Sequence, residues 1–231
     1  MSDTISTYVM YGIRPSAPLQ RVLKAALNAG WKLSPQFGDD YVYWIDDKRF
    51  TAANNDEVVE AVDSPETTAV AIERNDLRVW IEKDTDVLPT VETWHLYLWA
   101  NKYEFGHRKD ARTQAEARAR VQQYLDLVEL AVVETDPDYG FGKFGSIVSP
   151  KVVPTVDELL SARVLDVFWL NVFDSAAVER MGRERVLEAP AWEVRELETG
   201  HVMLVASDNP FEPADEWADG EEHVAEYLDV D

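Results

Sequence analysis

The chain has 231 residues, 44 Asp and Glu against 22 Lys and Arg, a net charge of −22 and no cysteine. Disulfides, thiolate zinc sites and cysteine nucleophiles are therefore excluded. Direct binding of nucleic acid or of an anionic membrane is disfavoured, because no basic patch is present to neutralise phosphates.

At 46% hydrophobic, the chain carries ample side chains for a packed core. No apolar run approaches the roughly 20 residues that span a bilayer. The N-terminus, MSDTISTYVMYGIRP, lacks a basic start and an apolar signal core, which places the chain in the cytoplasm as an expectation. Only 8 of the basic residues are lysine. Acid excess with few lysines fits a carboxylate-rich surface that stays hydrated when salt screens repulsion to within about 3 Å at 1 M. Because the acids are spread along the whole chain, adaptation to a salt-rich cell is the expected reason for them.

In chain order, residues 5–13 read as a strand and 17–29 as a helix, with Gly30 as its stop. Short strands follow at 31–33 and 41–45, then a short helix at 54–62 capped by Asn54 or Asn55. Residues 67–73 and 77–83 form a hairpin across Asn75-Asp76. The segment 94–103 is a strand with large apolar groups on both sides: Trp94, Leu96 and Leu98 on one, His95, Tyr97 and Trp99 on the other. It should lie in mid-sheet, covered on both faces. The clearest helix spans about 112–135, with Ala117, Val121, Leu125, Val128 and Val132 on its stripe and Arg118 and Arg120 off it. Residues 138–147 should be a folded loop or bent strand.

The alternation then restarts. A helix at 156–161 carries Thr155 as its cap, a strand covers 165–173, and two short helices meet at Gly182. A hairpin at 192–206 turns at Gly200, and a surface helix covers 221–228 within an acidic tail, 207–231. The expected class is α+β, a mostly antiparallel sheet flanked by helices. One domain over 1–231 is expected, with 143–154 as a weak internal boundary.

The chemistry-bearing motifs are few. Walker, HExxH and GxSxG patterns are all missing from the sequence. GFGKFG at 140–145 lacks the Lys-Ser/Thr of a phosphate loop and reads as a turn. The four histidines offer no local metal clip, so no metal and no cofactor is expected. His95, with nearby carboxylates, is the candidate for a small-molecule enzyme. An acidic nucleic-acid mimic from a mobile element is a further alternative. Most tryptophans sit in strand patterns and belong to the core. Trp217, among acids in FEPADEWADGEE, is the exception. Phe211, Glu212, Asp215, Glu216 and Trp217 are accordingly the candidate surface for a protein partner.

The C-terminal segment carries WLNVF at 169–173, the helix VERMGRE with Gly182, Arg183 and Glu184, the break Ala189-Pro190-Ala191 and a hairpin closing at Gly200, with Pro137 and Tyr139-Gly140 upstream. On these residues it resembles the DUF3396-type proteins, grouped with immunity proteins of polymorphic toxin systems (the immunity protein 52 type). The resemblance covers residues 121–212 at most. It implies a structural role for Tyr139, Gly140, Gly182, Arg183, Glu184, Pro190 and Gly200. It also implies a non-enzymatic module that neutralises a protein toxin by binding it.

Overall fold

The computed structural model describes residues 4–37, 40–45, 48–52, 54–64, 67–83, 93–105, 113–145, 153–164, 166–211 and 213–230. Twelve strands join one sheet in which every described pair is antiparallel. In chain order these are β1 (Thr4–Tyr11), β2 (Lys32–Leu33), β3 (Pro35–Phe37), β4 (Asp40–Ile45), β5 (Lys48–Ala52), β6 (Thr67–Arg74), β7 (Leu77–Lys83), β8 (Trp94–Asn101), β9 (Tyr139–Phe144), β10 (Leu170–Phe173), β11 (Glu193–Glu196) and β12 (Val202–Val205). The spatial order is β11-β12-β10-β9-β1-β8-β7-β6-β4-β3, with β2 on β6 and β5 on β4. Among the described residues seven α-helices flank it: α1 (Pro18–Asn28), α2 (Asn55–Asp63), α3 (Gln114–Thr135), α4 (Val156–Leu160), α5 (Ser175–Met181), α6 (Arg183–Leu187) and α7 (Gly220–Leu228). The α+β class follows. The sheet runs without a break from β10 through β9 and β1 into β8, whereas most of the expected boundary at 143–154 falls outside the described residues.

Period-two alternation divides each strand between two cores. In β1, Ile5, Val9 and Tyr11 join the core under α1, α2 and α3, while Tyr8 and Met10 join the core under α4 to α7. β8 obeys the same rule. Trp94, Leu96 and Leu98 face the first core and Tyr97 the second, as expected of a strand covered on both sides.

α3 is the main cover of the first face. Thr113 and Glu116 close a capping box at its start, and the expected stripe of Ala117, Val121, Leu125, Val128 and Val132 is buried. At 22 residues the helix is about 33 Å long. Tyr124 lies deep beneath it, and its hydroxyl donates to Thr7 Oγ1 at 2.9 Å and Leu98 O at 3.0 Å. Tyr11 donates to Thr135 Oγ1 at 2.6 Å. Side chains of β1 and β10 crowd β9 on either side, so β9 needs glycine at two positions. A Cβ at Gly142 would lie 2.8 Å from Thr7 Oγ1 and 3.0 Å from Leu170 Cβ, and one at Gly140 would lie 3.0 Å from Val172 Cβ.

The opposite face is an aromatic ladder. Tyr97, Tyr8, Phe141 and Phe168 stack in sequence at 4.9, 4.9 and 4.6 Å. Further along this face Trp80 and Trp99, paired across β7 and β8, lie parallel at 4.2 Å, and the Trp99 indole donates to Glu82 at 2.6 Å. Both are half-buried, so they are less enclosed than the core positions expected of them, whereas Trp94 and Trp169 are fully in the core.

Several expectations are corrected. Arg120 is buried, not on the outer side of α3: it donates to Asp76 O, Glu104 O and Glu104 Oε2, tying the helix to the β6–β7 turn and to the 3-10 helix Lys102–Phe105. The strand expected over 165–173 is confined to β10. Asn171 bonds the Phe168 backbone at both N and O, and this curls the chain before the strand begins. The 138–147 segment is a regular strand, β9, over most of its length.

Candidate functional site

The candidate partner surface lies in the acidic C-terminal segment, which is held down by one buried carboxylate. Asp208 is 1% exposed, receives Arg118 Nη2 at 2.6 Å and Nε at 2.8 Å, and accepts the Ala214 N–H at 3.0 Å. It thereby fixes the segment to α3 and sets the path into the 3-10 helix Asp215–Trp217. Asn209 adds a local turn by accepting the Phe211 N–H at 2.9 Å. Trp169 Nε1 donates to Ser207 O at 2.9 Å. Gly220 then opens α7 so tightly against the sheet that a Cβ there would sit 2.3 Å from Ala206 O.

These contacts divide the five candidate residues. Phe211 turns inward, stacked on Phe105 at 5.7 Å and edge-on to Phe144 at 5.0 Å, so it is a staple of the fold and not a free anchor. Glu212 lies outside the described residues. Asp215 and Glu216 are exposed, and Trp217 is half-buried. Trp217 lines a cleft of about 360 Å³ with Pro210, Pro213, Asp219 and the first turn of α7. On the other side of that turn, sharing Glu221 and Glu222, a second cleft of about 430 Å³ is walled by Lys143, Phe144, Asp166 and Phe168. Crowding in this cleft, then the Asp166 charge, pushes the Glu221 carboxyl above its ordinary range, against the pull of Lys143. Asp208, Arg118 and Gly220, which shape this surface, carry no local sequence signal apart from the turn-forming Asp208-Asn209-Pro210.

The residues of the family resemblance take structural places. Tyr139 is buried in β9, with its hydroxyl 3.4 Å from Asp166 O, and Gly140 is its neighbour beneath Val172. Gly182, at φ 90°, separates α5 from α6, and Gly200, at φ 85°, closes the β11–β12 turn. Arg183 pairs with Glu196 of β11. Glu184, exposed, accepts the Glu188 N–H through its backbone carbonyl, and Pro190 lies exposed between α6 and β11.

His95 sits on the aromatic face of β8, 3% exposed, opposite Met10 with its ring 6.0 Å from Tyr8. It lines neither of these clefts, and its burial gives the enzyme reading no support. Among the described residues no group of three or more His, Asp or Glu is placed to hold a metal ion. No described helix is long and apolar enough to cross a membrane.

The fold defines a class: a long antiparallel sheet with α1, α2 and the long α3 on one face and four short helices on the other. No family model matches the chain, and no curated protein matches it. Among solved structures, the chain is similar to the Pseudomonas aeruginosa T6SS protein PA0821, with a TM-score of 0.50 and 10% identity over 98% of this chain and 72% of that one. At that identity the likeness is one of fold.

Proposed function

We propose that this chain is a protein-interaction module, a toxin-neutralising protein of the immunity type, whose contact surface includes Trp217, Asp215 and Glu216. The observation that carries the reading is the likeness of nearly the whole chain to a T6SS protein. The resemblance of residues 121–212 to immunity proteins supports it. A half-buried indole on a cleft with carboxylates beside it has the composition of an interface anchor for a basic partner.

The test is to express the proteins encoded beside this gene, one at a time, with and without this chain. One of them should arrest growth and be rescued, and the purified pair should bind. Trp217→Ala should weaken that binding about 30-fold, the effect of losing a central aromatic anchor. If no neighbouring product is toxic or binds, the proposal fails.

A further inference from the structure

At one end of the sheet β11 pairs with β12 alone among the described residues. Leu197 N–H donates to His201 O across the turn at 2.8 Å. In an antiparallel ladder, residues that bond across the pair alternate with residues whose N–H and C=O point away from it. Counting back from Leu197, the backbone groups of Val194 and Glu196 point out of the sheet.

A groove of about 470 Å³ runs beside this edge, between α3 and the β11–β12 turn. Leu130, Val133 and Leu197 form its apolar floor; Asp126, Glu129, Glu196 and Glu198 form its rim. The rim faces water, with the Asp126, Glu129 and Glu196 side chains 54%, 40% and 47% exposed. Arg195 bonds Asp126 and Glu129 from below, and Arg183 bonds Glu196. Arg195 also bonds Glu193, so two cations stand against the four rim carboxylates and Glu193, and the groove keeps a negative charge.

We infer that an extended, basic segment of a partner protein adds to the sheet at β11. Its backbone takes the outward groups of Val194 and Glu196, its apolar residues cover the groove floor, and its lysines or arginines meet the rim. The open edge supplies the hydrogen bonds, and the charge of the rim selects the sign of the partner. This rests on the protein-binding reading above and names a binding element for it. A short charged edge strand also guards against aggregation, so the experiment must separate strand addition from charge attraction.

Two end-blocked hexapeptides of equal charge do so: Lys-Val-Lys-Val-Lys-Val, which forms a strand, and Lys-Pro-Lys-Pro-Lys-Pro, which cannot donate to a ladder. In a titration followed by NMR, the first should bind at least about 10-fold more tightly and slow amide exchange at Val194 and Glu196. Val194→Pro removes one outward N–H and leaves the bonds to β12, so it should abolish the difference between the peptides. Should that variant unfold, Glu196→Lys with Glu198→Lys should weaken the valine peptide by a similar factor. Equal binding of the two peptides, no binding of either, or protection placed elsewhere overturns the inference. A neighbour-encoded partner that binds wild type and Val194→Pro equally well removes β11 as the element while the protein-binding reading stands. The peptide difference without any such partner leaves β11 in place and removes that reading.

Discussion

The two faces of the sheet are closed in different ways. On one, a single long helix is fixed by hydroxyls: Tyr124 reaches through to Thr7 and Leu98, and Tyr11 reaches Thr135, while glycines at 140 and 142 leave room for Thr7, Leu170 and Val172 of the flanking strands. On the other, short helices of five to nine residues sit on stacked rings, with few side-chain hydrogen bonds to fix their depth. Hydroxyl contacts have strict geometry and rings slide, so the first face should resist change sharply while the second gives way in small steps.

The largest effect should come from the first face. Tyr124→Ala removes a fully buried ring and strands the Thr7 hydroxyl and the Leu98 carbonyl, at a cost of about 3–5 kcal/mol. Urea unfolding measures it, and a cost like that of an exposed position would erase the contrast between faces. Gly142→Val adds bulk where a Cβ already meets Thr7 and Leu170; the expected loss is about 1–3 kcal/mol, read as a lower Tm.

Salt tests the other face. Residues 207–231 hold ten acids and no Lys or Arg, so lowering NaCl from about 2 M to about 0.1 M should unscreen them. Amide exchange in α7 should then quicken before exchange in α3. A uniform response, or none, would count against salt adaptation as the reason for the acidity.

The smallest effect concerns Glu221. Its carboxyl is held above the ordinary range in the folded chain, so the folded state binds that proton more tightly than the unfolded one. Stability contributed by the site is present at low pH and is lost as pH rises through the carboxylate range. Glu221→Gln should therefore be slightly the more stable at pH 7 and should lose that advantage below the carboxylate range, as thermal melts against pH would record.

Local pattern made much of the first face legible. The apolar stripe of α3 is a 3.6-residue signal, and the two-sided β8 is a period-two signal. The Asn75-Asp76 turn was legible from residue type, and both residues do adopt positive φ, 47° and 64°. The strand β5 gives only a weak signal, because in Lys-Arg-Phe-Thr-Ala the alternation rests on two apolar residues, Phe50 and Ala52. Arg120 looks solvent-facing in sequence; the β6–β7 turn and Glu104, brought in by tertiary packing, give its guanidinium acceptors. The candidate surface was half legible. Trp217 stands out among acids, but nothing local distinguishes it from Phe211, whose partners Phe105 and Phe144 come from the distant 3-10 helix Lys102–Phe105 and from β9. The outward groups of β11 depend on which strand ends the sheet, a matter of global order.

The position of β1 between β8 and β9 also governs how the protein is made. Its partners run from Thr4↔Asn101 on one side to Ile5↔Phe144 on the other. During synthesis β1 emerges long before either neighbour: one edge stays bare until Asn101 has left the ribosome and the other until Phe144 has. Contacts so far apart in sequence make sheet closure slow, so chaperone capture of the nascent chain should centre on Thr4–Tyr11 and end once β9 docks.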